Sequence, residues 1–161
     1  MPDDLYRDDT LAWSRQQAER LRRLAAGERV NDLDWPHVIE EIEDVGKAQL
    51  YACESLLSRA LEHLLKLSLW PEHVSAAHWR REVRSFLRDA SRVFAPSMRQ
   101  AIDVTALHRA ARKDVLADPY DGQPAGDPAA DCPITLDELL AGADDVEALA
   151  RRLAPPPAHG E

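Results

Sequence analysis

The sequence has few of the residues on which disulfide-rich, metal-bound or phosphate-binding sites depend. Its two cysteines, Cys53 and Cys132, lack the paired spacing of a disulfide framework or a zinc motif. Only six glycines occur in 161 residues, and none forms a glycine-rich phosphate loop. Glu-x-x-His and His-x-x-x-His pairs are absent, so the motifs of di-metal bundles and zinc proteases are missing. We expect no cofactor.

Long apolar runs and a basic leader segment are also missing. The most apolar stretch, residues 56–70, contains Arg59, Glu62, His63 and Lys66, whereas a membrane span needs about 20 mostly apolar residues. The first four residues lack the basic and apolar regions of a secretory signal. We therefore expect a cytoplasmic protein without a membrane partner.

Charge is plentiful but unevenly distributed. The net charge of -9 disfavours wholesale binding to nucleic acid or anionic lipid, because both carry negative charge. Between Trp79 and Lys113, however, nine basic residues face three acidic ones, which gives this part +6 and leaves -15 for the remainder. The chain is an acidic protein with a basic middle.

Apolar residues recur at three- and four-residue steps, which predicts an all-α protein. We expect a helical bundle of about four main helices, near residues 10–26, 35–70, 77–94 and 98–116. The second is very long, with Asp34 as its N-cap, Pro36 in its first turn and Gly46 as the candidate kink. Its apolar positions predict one buried stripe, formed by Val38, Ile39, Ile42, Val45, Cys53, Leu56, Leu57, Ala60, Leu61 and Leu64.

The chain after the bundle has a different composition. Residues 1–116 form the predicted bundle domain, and Asp-Pro, Asp-Gly and Cys-Pro pairs predict an extended loop after it. Thr135 and Glu138 have the spacing of a capping box, which begins a short helix, and residues 144–153 form a second one. We expect residues 117–153 to pack on the bundle and residues 154–161 to be a disordered tail.

A block of carboxylates at the start of the long helix is a candidate metal-binding site. On a helix, Glu40 and Asp44 point away from the apolar stripe, whereas Glu41 lies on its flank. The carboxylates therefore do not converge on one point without help from other elements. His37, Glu40, Glu41 and Asp44 are the candidate metal ligands, but the favoured interpretation is a solvated acidic segment at the positive end of the helix dipole.

His63 and Glu41 are the candidate catalytic residues. His63 lies at the edge of the apolar stripe, one turn from Arg59, and Glu41 is the carboxylate on the flank that approaches it. A general base is one interpretation of His63. We favour a half-buried packing residue, because no nucleophile motif accompanies it.

The third helix carries a row of arginines opposite its apolar side. They recur at four-residue steps, as in a ridge that binds phosphate, but no aromatic residue interleaves with them to stack on bases. We favour ion pairs with the acidic second helix or with a partner subunit. The row, a candidate interaction surface, consists of Arg80, Arg84, Arg88 and Arg92.

Six short motifs occur in order along nearly the whole chain. They are Tyr6-x-x-Asp9-x-x-x-Trp13, Asp34-Trp35 with Glu40-Glu41-Ile42-Glu43 and Gly46, His63-Leu64-Leu65-Lys66, Ser75 to Arg80 with Trp79, Pro96-Ser97, and Cys132-Pro133-x-Thr135. Together they resemble the domain of unknown function 29 family, an uncharacterised family of bacterial proteins. The resemblance implies an all-helical domain and brings no established activity, cofactor or partner.

Three functions stay open at the level of sequence. The first, which we favour, is a non-catalytic interaction module that binds a protein partner or self-associates as a homo-oligomer. The second is a metal-dependent hydrolase or nucleic-acid-acting enzyme that uses the Glu40 to Asp44 block and His63. The third is direct nucleic-acid binding through the Arg80 to Arg92 row, which the net charge disfavours.

Overall fold

A computed structural model of the protein describes residues 2–118, 124 and 126–156. These residues form seven α-helices and two 3-10 helices, Pro96–Gln100 and Gly142–Asp144, with no β-strand among them. The predicted all-α class and very long helix are confirmed. In chain order the α-helices are α1 (Pro2–Asp8), α2 (Thr10–Ala25), α3 (Trp35–Leu69), α4 (Ala76–Val93), α5 (Val104–Ala117), α6 (Leu136–Ala141) and α7 (Val146–Leu153).

The chain divides into two compact units, residues 1–48 and 49–161. Helix α3 passes from the first unit into the second and is uninterrupted at Gly46, the candidate kink. The C-terminal helices α6 and α7 belong to the second unit. Most of the predicted disordered tail, from residue 157 onward, lies outside the described residues. None of the helices that the structure describes combines the length and apolar character that a membrane span needs.

The first unit is a small cluster built around α2. The Asp9 carboxylate caps α2 by accepting from the backbone N–H of Ala12 at 2.9 Å. Its core consists of Trp13, Leu33 and Val38. Helix α2 therefore buries Trp13 and Gln17, whereas its apolar residue Leu11 is exposed.

The second unit is built on the second half of α3. Leu57, Leu61 and Leu64 have no exposed surface, and α4 contributes Val83 and Leu87 to the same core. Helix α4 also packs against α6 and the 3-10 helix Gly142–Asp144. The short C-terminal helices are therefore integral to this core, because Leu139 of α6 and Leu153 of α7 are fully buried in it.

The prediction of one continuous buried stripe on α3 was wrong for its first half. Val38 is buried, but Ile39, Ile42 and Val45 are exposed. The first unit packs on the side of α3 that carries Val38 and Glu41, and only near the start of the helix. Burial on α3 resumes at Cys53, where the second core begins.

The predicted fourth helix is divided into two elements. A 3-10 helix, Pro96–Gln100, precedes α5, and the chain restarts as an α-helix only at Val104. Asp103 causes the restart, because its carboxylate accepts from the backbone N–H of Ala106 at 3.0 Å. Near the C-terminus the predicted capping box is confirmed, since the backbone N–H of Thr135 donates to Glu138 at 2.8 Å.

Gly142 provides a test of the C-terminal packing. A Cβ atom at Gly142 would overlap the side chain of Leu149, so we expect Gly142→Ala to lower the free energy of unfolding by about 1–3 kcal/mol. Gly46→Ala is the matched control, because nothing lies within 4 Å of its added Cβ. That change should stabilise α3 by about 1 kcal/mol through helix propensity. Chemical denaturation measures both, and equal effects would contradict this packing.

Candidate functional site

Residues from two of the six sequence motifs contact one another in the first unit. The Tyr6 ring lies on the His37 imidazole, with ring centroids 3.9 Å apart, and edge-on to Trp13 at 4.8 Å. The Tyr6 hydroxyl donates to Glu41 Oε1 at 2.8 Å. Residues separated by up to 35 positions in the chain thus form one cluster that ties α1 and α2 to the start of α3.

Asp34 is the centre of this cluster. Its Oδ2 accepts from the Trp13 indole at 2.9 Å and from His37 Nδ1 at 2.7 Å, so the His37 proton lies on Nδ1. Burial raises the pKa of Asp34, but hydrogen bonds from His37 and Trp13 outweigh it and hold the pKa below its ordinary value. Asp34 is therefore an ionised, largely buried carboxylate whose backbone N–H donates to Gln17 Oε1 at 3.0 Å.

A concavity of about 590 Å³ opens beside Asp34 in the first unit. Its apolar lining includes Leu5, Trp13 and Leu33. Arg20 and Asp32, also in the lining, form an ion pair at 2.6 Å. Sequence reasoning missed this concavity, because its lining residues come from three separate stretches of chain.

The four candidate metal ligands do not share a common site. His37 is bound to Asp34, Glu41 accepts from Tyr6, and Asp44 accepts from Lys47 at 2.9 Å. Glu40 is exposed. Within the described residues no group of three or more His, Cys, Asp or Glu side chains is close enough to hold a metal ion.

His63, the second catalytic candidate, is half-buried in the second unit. Its Nδ1 lies 3.0 Å from the carbonyl oxygen of Arg59, and its ring meets Phe86 edge-on at 5.7 Å. Burial lowers its pKa, and the Arg59 carbonyl acts in the opposite direction. His63 is thus engaged in local packing, and Glu41 belongs to the first unit with a partner of its own.

The arginine row on α4 is partly paired within its own unit. Arg80 pairs with Glu147, Arg88 with Asp144 at 3.1 Å, and Arg92 with Asp89 at 3.2 Å. The first two counterions lie in the C-terminal segment rather than in the acidic second helix. Arg84 has no ion pair within the described part of the chain. Three members of the row, Arg84, Arg88 and Arg92, line a shallow concavity whose other lining residues are Arg81, Ser85 and Asp89.

The exposed apolar residues of α3 form a surface of their own. Trp35, Ile39, Ile42 and Val45 are 50%, 53%, 68% and 65% exposed. At steps of four and three residues they share one side of the helix, which we call the apolar side of α3. Gly46 lies beside them and adds no side chain. The sequence pattern had assigned Ile39, Ile42 and Val45 to the buried stripe, which did not include Trp35.

Comparison with known proteins gives a family. The sequence model described as Domain of unknown function DUF29 matches residues 5–143. The chain belongs to the DUF29 family. A search of proteins with curated descriptions found no match. An α-helical protein of unknown function from Rhodospirillum rubrum ATCC 11170 is similar in structure, with 30% identity, a TM-score of 0.64 and coverage of 93% of this chain and 98% of that one.

The DUF29 chain also buries a histidine that sequence reasoning missed. His108 on α5 has no exposed surface, and neither ring nitrogen has a hydrogen-bond partner among the described residues. Burial and the charge of Arg112 lower its pKa, and Asp131 acts in the opposite direction. The spacing of His108, Ala111 and Val115 was the available signal, since it places all three on one helix side.

His108 makes the stability of the DUF29 fold depend on pH. As pH falls below 6.5, the unfolded chain binds a proton that folded His108 does not, so the free energy of unfolding decreases until the lowered pKa is reached. One such group gives a slope of at most about 1.4 kcal/mol per pH unit. His108→Leu should reduce the slope measured by denaturation, whereas His78→Gln, at an exposed position, should not. Equal slopes in both variants would contradict the assignment.

The Tyr6–Glu41 contact can be tested by titration. The hydrogen bond to Glu41, then burial and the charge of Glu41, raise the pKa of Tyr6 to about 12. Glu41→Gln removes the charge, so the Tyr6 phenol should ionise at lower pH, as followed by the ultraviolet absorbance of phenolate. Glu43→Gln, at an exposed position on the same helix, is the control and should leave the titration unchanged. The contact is refuted if both variants titrate alike.

Proposed function

We propose that this DUF29 protein is a non-catalytic helical interaction module that self-associates in the bacterial cytoplasm. The observation that carries the proposal is the apolar side of α3, where four large hydrophobic side chains are at least half exposed on consecutive turns. Single exposed hydrophobic residues are ordinary, but a contiguous apolar surface with polar edges is typical of an interaction site. The contact surface is therefore the first half of α3.

The charge around this surface restricts the partner. Residues 34–46 contain five carboxylates and no lysine or arginine. Glu43 borders the apolar side of α3, and Glu40 and Asp44 lie on the opposite side of the helix. A partner that covers the hydrophobic residues should therefore also present basic side chains, because like charges would repel at this edge.

A second copy of the chain offers a surface with these properties. The arginine row on α4 and its neighbour Arg81 combine positive head groups with long aliphatic stems that can cover apolar side chains. Arg84 is available for such a contact, since it has no ion pair within the described residues. A guanidinium can also stack on the exposed ring of Trp35. In a two-fold dimer, α3 of each copy would meet the arginine row of the other.

The contacts of the candidate acid–base side chains support a non-catalytic role. Glu41 is hydrogen-bonded to Tyr6, the His37 ring to Asp34, and His63 Nδ1 to the backbone carbonyl of Arg59. Each bond lies within its own unit. The Tyr6–Glu41 bond joins α1 to α3, and the other two are local contacts within α3 or at its start. A general acid or base must instead reach the reacting atoms of a substrate.

Self-association can be tested with a pair of exposed hydrophobic residues on α3. We expect the wild-type protein to dimerise reversibly, and Ile42→Ser to weaken the dimer at least about ten-fold because apolar burial is lost in both copies. Tyr51→Ser is the matched control, since Tyr51 is 63% exposed but lies on the opposite side of the helix. Sedimentation equilibrium over a range of concentrations measures the dissociation constants.

The electrostatic part of the contact has a separate test. Arg84→Glu and Glu43→Arg should each weaken the dimer, because like charges then meet at both of its contacts. An equimolar mixture of the two variants should associate more tightly than either alone, because opposite charges meet at both contacts of the mixed dimer. High salt should weaken the wild-type dimer. The proposal would be contradicted if the wild-type protein stayed monomeric at the highest soluble concentration. It would also be contradicted if Ile42→Ser and Tyr51→Ser weakened the dimer equally.

A further inference from the structure

None of the four residues that define the apolar side of α3 lines the concavity beside Asp34. Gln17, which lines it, is only 3% exposed although its side chain is polar. Its Oε1 accepts from the backbone N–H of Asp34, while no described residue accepts from its amide nitrogen. A buried amide with an unused donor at the wall of an open concavity indicates a site for a ligand oxygen.

The charges of the lining do not balance. Arg20 and Asp32 form an ion pair, which leaves Asp34 as the unbalanced charge. A carboxylate offers about four acceptor positions, and the Trp13 indole and the His37 ring occupy two of them, both on Oδ2. The start of α3 adds a positive dipole equivalent to about half a unit charge, which reduces the charge of Asp34 without cancelling it. The site therefore favours a cation.

The remaining lining favours a partly apolar ligand. Leu5, Leu33 and Pro36 contribute hydrocarbon surface, and Trp13 adds an aromatic ring near the carboxylate. A volume of about 590 Å³ falls within the usual range of small-molecule sites, which is about 300–1,000 Å³. An apolar body would contact these side chains while its charged end reaches Asp34.

We propose that the concavity beside Asp34 binds a small organic ammonium ion that carries an apolar body and a hydroxyl or carbonyl oxygen. The ammonium donates to a free acceptor position of the Asp34 carboxylate. The ligand oxygen accepts from the amide nitrogen of Gln17. The apolar body lies against Trp13 and Leu33. This site is independent of self-association through α3.

A matched pair of compounds tests the charge requirement. Phenylethanolamine has an ammonium, a hydroxyl and an aromatic ring, and phenylethylene glycol replaces its ammonium by a neutral hydroxyl. We expect phenylethanolamine to bind the full chain saturably with a dissociation constant of about 1 mM or tighter. The Trp13 indole N–H should shift in nitrogen–proton correlation spectra, because it donates to Asp34. Absence of a saturable shift, or an equal shift with the glycol, would overturn the proposal.

Two variants with opposite expected effects locate the site. Asp32→Asn frees the charge of Arg20 and should weaken binding about five-fold, and Arg20→Gln should strengthen it by a similar factor. The Arg20 and Asp32 side chains are 20% and 65% exposed, so we expect both variants to keep the fold. The controls Asp44→Asn and Arg15→Gln change the net charge equally at exposed positions outside the concavity. If the controls change the affinity as much as their counterparts, the ammonium binds the diffuse acidic surface and the proposal fails.

The outcome is separable from that of the dimerisation tests. Ile42→Ser leaves the lining of the concavity unchanged, so it should bind phenylethanolamine as the wild type does. Binding that is lost together with the dimer would overturn the independence of the site. Binding that persists in a monomeric variant supports it.

Discussion

The uninterrupted α3 helix is the constraint on which the rest of the structure depends. Its second half supplies Leu57, Leu61 and Leu64, around which α4 and the short C-terminal helices assemble. Its first half contributes only Val38 to the core of the other unit. One helix thus takes part in two hydrophobic cores of unequal size, and the turns between them carry hydrophobic side chains that no described residue buries.

The first unit compensates for its small core with polar contacts. An ionised Asp34 held by an indole and an imidazole connects α2 to the start of α3, and the Tyr6–Glu41 bond adds α1. Hydrogen bonds to a charged carboxylate are stronger than neutral ones, so a few of them can position three elements that share little apolar surface. The same carboxylate borders the concavity, so positioning and ligand binding would share one group.

Much of the fold could be predicted from sequence because helix periodicity and caps are local signals. The capping box at Thr135 and the starts of α2 and α4 were found in this way. Burial could not be predicted turn by turn: Ile42 and Leu57 belonged to one predicted stripe, yet only Leu57 meets another helix. Asp34 is bonded to Trp13, 21 residues away, and Arg80 to Glu147, 67 residues away. Helix spacing predicts only contacts between residues a few positions apart, so it could not identify these pairs.

The stretch of α3 between the two cores has a consequence for how its surface is presented. A short helix in isolation is only marginally stable, because the first turn must be nucleated at a cost in entropy. Here nucleation is complete on both sides, at the Asp34 cluster and at the buried leucines, so the turns around Ile42 only propagate an existing helix. Their hydrophobic side chains are held at fixed spacing before any partner arrives. Association therefore need not pay the entropy of ordering this backbone.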